Sequence, residues 1–194
     1  HDAISADAAI NHLSQHESPV AADMLRSLQS PSCGNKGFSN REEFGKAVCN
    51  ILKDMTPDDR NNVRVFDNDL AGSCGLYLIQ MQYPELIKKG GIMERHNFSA
   101  AAGFGSENGK HSIYGTFSAF IEMLTSEITM ARLNNANVLA HFSHAGVDEI
   151  SDNTSHFGIN ILSANNGFAD NDNTRLYFPA DVHQMHSTVK GIFN

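Results

Sequence analysis

The chain has 194 residues, 41% of them hydrophobic, and a formal net charge of -8 at pH 7. That length fits one domain, or one domain with a helical arm, and the apolar content can bury a core. The acidic balance argues against an electrostatic nucleic-acid binder, although a few local cations could still hold a small anion, and no apolar run approaches the roughly 18 residues of a membrane helix. The start, His1-Asp2-Ala3-Ile4-Ser5, has no basic segment followed by an apolar stretch, so no signal peptide is visible. It has no initiator methionine, so a processed or trimmed chain is expected. Cys33, Cys49 and Cys74 are odd in number and lack CxxC spacing. That pattern fits free thiols in a reducing compartment, and a cytoplasmic location is expected.

Along the chain, residues 1–30 read as helical, broken near Ser18-Pro19. Residues 30–39 read as a turn-rich linker. A helix is predicted from a cap at Ser39 or Asn40 to about Met55, with Phe44, Val48, Ile51 and Leu52 on one face. Strands and helices then alternate. Strands are predicted at Val63–Asp67, Gly91–Met93, His111–Thr116, Val138–Phe142 and Arg175–Phe178. Helices are predicted at Gly72–Gln82, Asn97 to about Glu107, Ser118 to about Asn135 and Asp181 to about Ile192. Residues 165–173, rich in Asn, Asp and Gly, read as a surface loop. Short apolar strands separated by helices predict an α/β fold of three αβα layers around a mostly parallel sheet.

Ligands of such sheets sit past the carboxyl ends of the strands. Asp67 to Ser73, Glu94, Phe117 and His144 all fall there. Glu94 could hold a proton shared with a heterocycle's ring nitrogen if it is desolvated, or it could serve a helix N-terminus. Phe117, Phe120 and Met123, spaced by three, could pack a core or form a shelf for a flat ring. His144, Asp152 and His156 flank a loop after a buried strand, where they could be structural or could contact a polar substrate. Arg41 and Ser73 lie at helix starts, where anions bind. His141 and His144 are at odd separation on or beside a strand, so they should face opposite ways and chelate poorly. His183 and His186 share a helical face without an obvious third ligand, and no metal site is expected within this chain.

Residues 38–190 resemble the pyrimidine-binding (middle) domain of transketolases and related thiamine diphosphate enzymes. The matching pieces come in the family's order. Ser39-Asn40-Arg41 is similar to the start of the domain's first helix, and Asp69-Leu70-Ala71-Gly72-Ser73 to its ADLxxS turn. Met93-Glu94-Arg95-His96 resembles the family's glutamate segment. Gly115-Thr116-Phe117-Ser118-Ala119-Phe120 resembles its TFxxF shelf, and Ser143-His144-Ala145-Gly146-Val147 its SHxGV strand end. His156 follows His144 at the family's spacing. Tyr177-Phe178-Pro179-Ala180-Asp181 resembles its YPAD turn.

The resemblance implies a pyrimidine-binding module of the thiamine diphosphate fold, spanning residues 38–194, preceded by a linker arm over residues 1–37. It implies a transferase that moves a two-carbon ketol unit between sugar phosphates. Glu94 would bond the aminopyrimidine and favour the imino form that activates the thiazolium ring. Phe117, Phe120 and Met123 would pack on the pyrimidine, with Asp69 near the cofactor. His156 would face the reacting centre, Asp152 would contact a substrate hydroxyl, and Arg41, Ser73 and His144 would hold the sugar phosphate. Magnesium and the diphosphate would be held by a separate diphosphate-binding domain, which is not in this sequence, and a homodimer is implied. The sequence ends before the family's next strand, so a fragment inactive alone is expected. Two departures stand out. Ile150-Ser151-Asp152-Asn153-Thr154 keeps only the aspartate of the family's GEDGP loop, and Met123 replaces a common aromatic. A noncatalytic scaffold of the same fold, or the beta subunit of a 2-oxo acid dehydrogenase, are the alternatives.

Overall fold

The structure, a computed structural model, describes residues 39–145 and 174–193. The first element, α1 (Asn40–Asp54), starts from Ser39 in extended backbone, carries Glu42 and Glu43 in its first turn and Lys53 in its last. Those charges suit the helix dipole. Its apolar stripe of Phe44, Val48 and Leu52 is buried as the spacing predicts, with Ile51 only partly covered. Thr56 then caps the short α2 (Pro57–Arg60): its hydroxyl accepts the Asp59 N–H at 3.1 Å, and Pro57 fits the first helical position.

Among the described residues four parallel strands follow: β1 (Val63–Asp67), β2 (Ile87–Lys89), β3 (His111–Phe117) and β4 (Val138–Ser143), in the order β2-β1-β3-β4. Alternation along β1 and β3 divides the apolar residues between two cores. Val63, Val65 and Ile113 face a core with α1, α3 (Tyr77–Gln82) and α6 (Val182–Phe193). Phe66 and Tyr114 face a second core with α4 (Glu94–Gly105) and α5 (Thr125–Leu133). The sheet is therefore covered on both faces, the three-layer α/β arrangement expected from the strand and helix pattern.

Several predicted boundaries differ. No strand forms at Gly91–Met93. The edge strand is Ile87–Lys89 instead, paired with β1 through Val65 and Ile87. Its two lysines hide it in sequence, yet charge is normal on an edge strand. Gly91 takes φ +72° and Ile92 and Met93 are exposed, so this stretch is the turn into α4. That helix consequently begins at Glu94, not Asn97. The predicted helix over Gly72–Gln82 is helical only from Tyr77, because Gly75 at φ +70° interrupts it. The predicted helix from Ser118 begins as two 3₁₀ turns, Ser118–Phe120 and Glu122–Leu124, before α5. Ser118 donates to the His144 carbonyl at 2.8 Å, which ties the first of these turns to the end of β4.

Arg175–Phe178 forms no strand either. Its apolar side chains are exposed, and the segment leads into α6. There Asp181 caps the helix by accepting the Gln184 N–H at 2.8 Å, while the Gln184 side chain accepts the N–H of Ala180, the residue before the cap, at 3.0 Å, a variant of the capping box. The Asn40 amide donates to the Pro179 carbonyl at 3.0 Å, joining this turn to the start of α1.

Candidate functional site at the carboxyl edge of the sheet

At the end of β1, Asp67 is buried and its carboxylate accepts the Leu70 N–H at 3.0 Å. Burial pushes this carboxyl above its ordinary value. Asn68 is fully buried, whereas Asp69 is exposed at φ +65°, a conformation that aspartate tolerates. Ser73 lies half-buried in the turn before α3.

Glu94 does not follow a strand; it is the first residue of α4, the helix N-terminal position that its other reading allowed, and is half-buried. Its backbone carbonyl accepts the Tyr114 hydroxyl at 3.1 Å. Desolvation holds that phenol above its ordinary value, so it remains a donor. One turn along α4, the Asn97 amide donates to Asn68 at 2.7 Å and to the Gly91 carbonyl at 3.0 Å. Asn68 in turn donates to the Gly115 carbonyl at 2.8 Å. These amides tie the start of α4 to the ends of β1 and β3. Buried amides left unsatisfied would be costly, so the network resists displacement. Sequence reasoning missed both asparagines, although a polar residue on the apolar side of an Ala/Gly-rich helix was an available signal.

Arg95 reaches the other way, to Glu127 at 2.7 Å and Ser126 at 3.3 Å. The first turns of α4 and α5 are thereby side by side, next to the 3₁₀ turn that carries Met123. Phe117 is buried at the end of β3 and stacks with Phe120, their ring centroids 5.9 Å apart. Met123 is 45% exposed. A spacing of three aligns residues in 3₁₀ turns, which have three residues per turn. Glu94 is thus a half-buried carboxyl on a helix that touches the 3₁₀ turn of Met123, while Phe117 and Phe120 pack with the core on the α1 side of the sheet.

The His144 ring lies 4.2 Å from that of Phe117, with its backbone at φ +59°. Arg41, in the first turn of α1, is 3.3 Å from His144 Nε2, and Ser143 Oγ is 3.0 Å from Nδ1. The expectation that His141 and His144 face opposite ways fails. His144 lies past the strand in left-handed backbone, where alternation no longer applies, and both rings meet α1. His141 stacks on Phe44 at 4.1 Å and its Nδ1 bonds the Cys74 carbonyl at 3.0 Å. His186 is 3.4 Å from Glu43, an ion-pair geometry between α6 and α1. Cys49 and Cys74 are free and buried. Asp152 and His156 lie outside the described residues, as does the segment 1–37.

Burial drives the His141 imidazole down to about 4 from 6.5. Between those values the unfolded chain binds more protons than the folded one, so stability falls on acidification. The shift corresponds to a loss of up to about 3 kcal/mol. Asp67, whose raised carboxyl takes up a proton more readily when folded, opposes it. The urea midpoint should therefore drop between about pH 7.5 and about pH 5, and drop less in His141→Gln, which keeps a donor for Cys74 without titrating. An equal drop in both proteins would remove His141 as the cause.

Comparison with solved structures finds transketolases. A split-gene transketolase, described as an inactive beta4 tetramer, is 26% identical with a TM-score of 0.62, covering 80% of this chain and 48% of that one. Transketolase from Campylobacter jejuni subsp. jejuni NCTC 11168 is 20% identical with a TM-score of 0.68, covering 97% of this chain and 30% of that one. The chain thus spans under half the length of either. No curated protein matches. The family description "Transketolase, pyrimidine binding domain" matches residues 38–190. A match over that much of the sequence, on a parallel sheet of the same kind, makes the chain a member of the transketolase pyrimidine-binding domain family.

Proposed function

We propose that this chain is the pyrimidine-binding part of a thiamine diphosphate-dependent transketolase-like enzyme that moves a two-carbon ketol unit between sugar phosphates. The observation that carries the reading is Glu94 at the carboxyl edge of the sheet, its backbone held by Tyr114 and its helix by Asn97. When bound, thiamine diphosphate supplies the carbon that accepts the transferred unit. Glu94 holds a proton against a pyrimidine nitrogen. Phe117, Phe120 and Met123 cover the ring face and exclude water, with Asp69 beside the ring. Arg41, Ser73 and His144 take the phosphate of the sugar. Asp152 contacts a substrate hydroxyl, and His156 faces the reacting carbon.

In this reading residues 38–194 are the domain and residues 1–37 the linker. Diphosphate and magnesium are held by a separate diphosphate-binding domain, the assembly is a homodimer, and its setting is the cytoplasm. The chain by itself is inactive. The inactive assembly of the split-gene relative supports this division of labour.

Calorimetric titration tests it. Thiamine diphosphate with magnesium should bind the 194-residue chain weakly, and the complete assembly tightly. Tight magnesium-dependent binding by the chain alone would contradict the division between domains. No binding by the complete assembly would overturn the cofactor reading itself.

A further inference from the structure

Away from the carboxyl edge, the chain passes from α4 to β3 through the turn Glu107-Asn108-Gly109-Lys110, closed by the Lys110 N–H on the Glu107 carbonyl at 3.1 Å. Of its two central residues Gly109 alone has a positive φ, +77°, as at the third position of a type II turn. Asn108 and Gly109 are both exposed, and a Cβ placed on Gly109 would meet nothing within 4 Å. Among the described residues, neither the Asn108 carboxamide nor the Gly109 N–H has a hydrogen-bond partner. Other asparagines are held: the amides of Asn68, Asn97 and Asn137 are bonded at 2.8, 2.7 and 2.6 Å, and none of the three precedes a glycine. Asn166 does precede one, and it lies outside the described residues. A free carboxamide beside a backbone nitrogen that no side chain shields is a reactive pair.

We propose that Asn108–Gly109 is a self-modification site, at which the chain converts its own asparagine to aspartate and isoaspartate. The Gly109 nitrogen gives up its proton to solvent and bonds to Asn108 Cγ. The bond from Cγ to the side-chain nitrogen breaks, and that nitrogen takes up a proton and leaves as ammonia. Water then opens the five-membered imide. Cleavage at Cγ gives aspartate on the normal backbone, and cleavage at the main-chain carbonyl carbon gives isoaspartate, whose main chain runs through Cβ and Cγ. Nothing is oxidised or reduced, and water is the sole co-reactant. The chemistry is independent of the cofactor reading.

Either product sets a carboxylate two residues from Lys110, whose ammonium and the Arg64 guanidinium each lie 5.5 Å from the centre of the Phe104 ring. Isoaspartate also lengthens the main chain by one carbon inside the turn. Both ends of this segment are anchored, since Asn137 N–H bonds the Gly105 carbonyl and His111 N–H the Asn62 carbonyl, each at 2.8 Å. The added atom must be absorbed between them, at the expense of the Glu107–Lys110 hydrogen bond. Isoaspartate therefore loosens the joint between α4 and β3.

The test is incubation of the 194-residue chain in mildly alkaline buffer, in an Asn166→Gln background so that charge changes report on residue 108. A synthetic peptide of residues 104–113 is the unfolded reference. The folded chain should gain one negative charge and the mass difference between an amide and an acid, mapped to Asn108. Part of the product should accept a methyl group from an isoaspartate-specific methyltransferase. The change should be slower in mildly acidic buffer, because the attacking nitrogen must lose a proton, and should be lost in Asn108→Gln. A folded chain left intact while the peptide converts would overturn the proposal, as would a charge gain that survives in Asn108→Gln. The isoaspartyl fraction should unfold at lower urea than the fresh chain, and Asn108→Asp, which has the charge on a normal backbone, should not. An equal fall in Asn108→Asp would assign the loss to charge and overturn the backbone effect.

Discussion

Glu94→Gln should lower the turnover of the complete, cofactor-loaded assembly by about 100-fold or more, the range typical of a lost general acid–base group. The substitution keeps the shape of the side chain and removes only its capacity to hold a proton. The contact that fixes this residue uses its backbone carbonyl, bonded by Tyr114, so the fold should not respond. Near-native urea midpoints together with collapsed turnover would therefore assign the loss to chemistry. Because the carboxyl acts on the cofactor and not on the sugar, the fall should appear in kcat with little change in KM. Turnover within a few-fold of native would remove Glu94 from the proposed role. Glu94→Asp, which keeps the acid but shortens its reach, should fall between the two.

The placement of Glu94 also shows what could be read from the residues in advance. The β1 strand was legible to the residue, because Val63, Val65 and Phe66 alternate between two buried faces and Asp67 closes the run. The edge strand was not, because Ile87-Lys88-Lys89 carries a single apolar side chain and is defined by backbone pairing to β1. The exposed Ile92 and Met93 drew the strand to the wrong place, and Glu94 was shifted from a helix start to a strand end with it. Arg175–Phe178 misled in the same way: an apolar run reads as a strand whether or not a ladder partner exists.

At the site, Glu94, Phe117, Phe120 and His144 were identifiable one by one as residue types at or after expected strand ends, and Arg41 as a cation at a helix start. What holds them was not. Asn68 and Asn97 are 29 residues apart, and Ser143 and Cys74 69 apart, so only the folded chain brings each pair together. The positive φ of His144 carries it past the alternation rule that had placed it opposite His141.

The same long-range packing makes Gly75→Ala the most damaging small substitution expected here. Gly75 has φ +70°, and a Cβ on it would land on the backbone carbonyl oxygen of Arg41. The encounter is reciprocal, since a Cβ on Gly45 would land on the carbonyl of Gly75. The first turns of α1 lie directly on the turn that precedes α3, with no side chain between them to give way. Moving one means moving the helix that buries Phe44, Val48 and Leu52. The cost should reach about 3 kcal/mol, at the upper end for overpacking. Gly91→Ala is the matched control: its φ is +72°, but nothing lies within 4 Å of the added carbon. It should cost only the left-handed strain of about 1 to 2 kcal/mol. Urea denaturation of the two variants separates the contributions. A clearly larger loss in Gly75→Ala would show that helix and turn are in backbone contact, which also fixes Arg41 above Cys74 and Ser143. Equal losses would mean that strain explains both, and that packing of α1 on the turn does not set the height of Arg41 over the sheet.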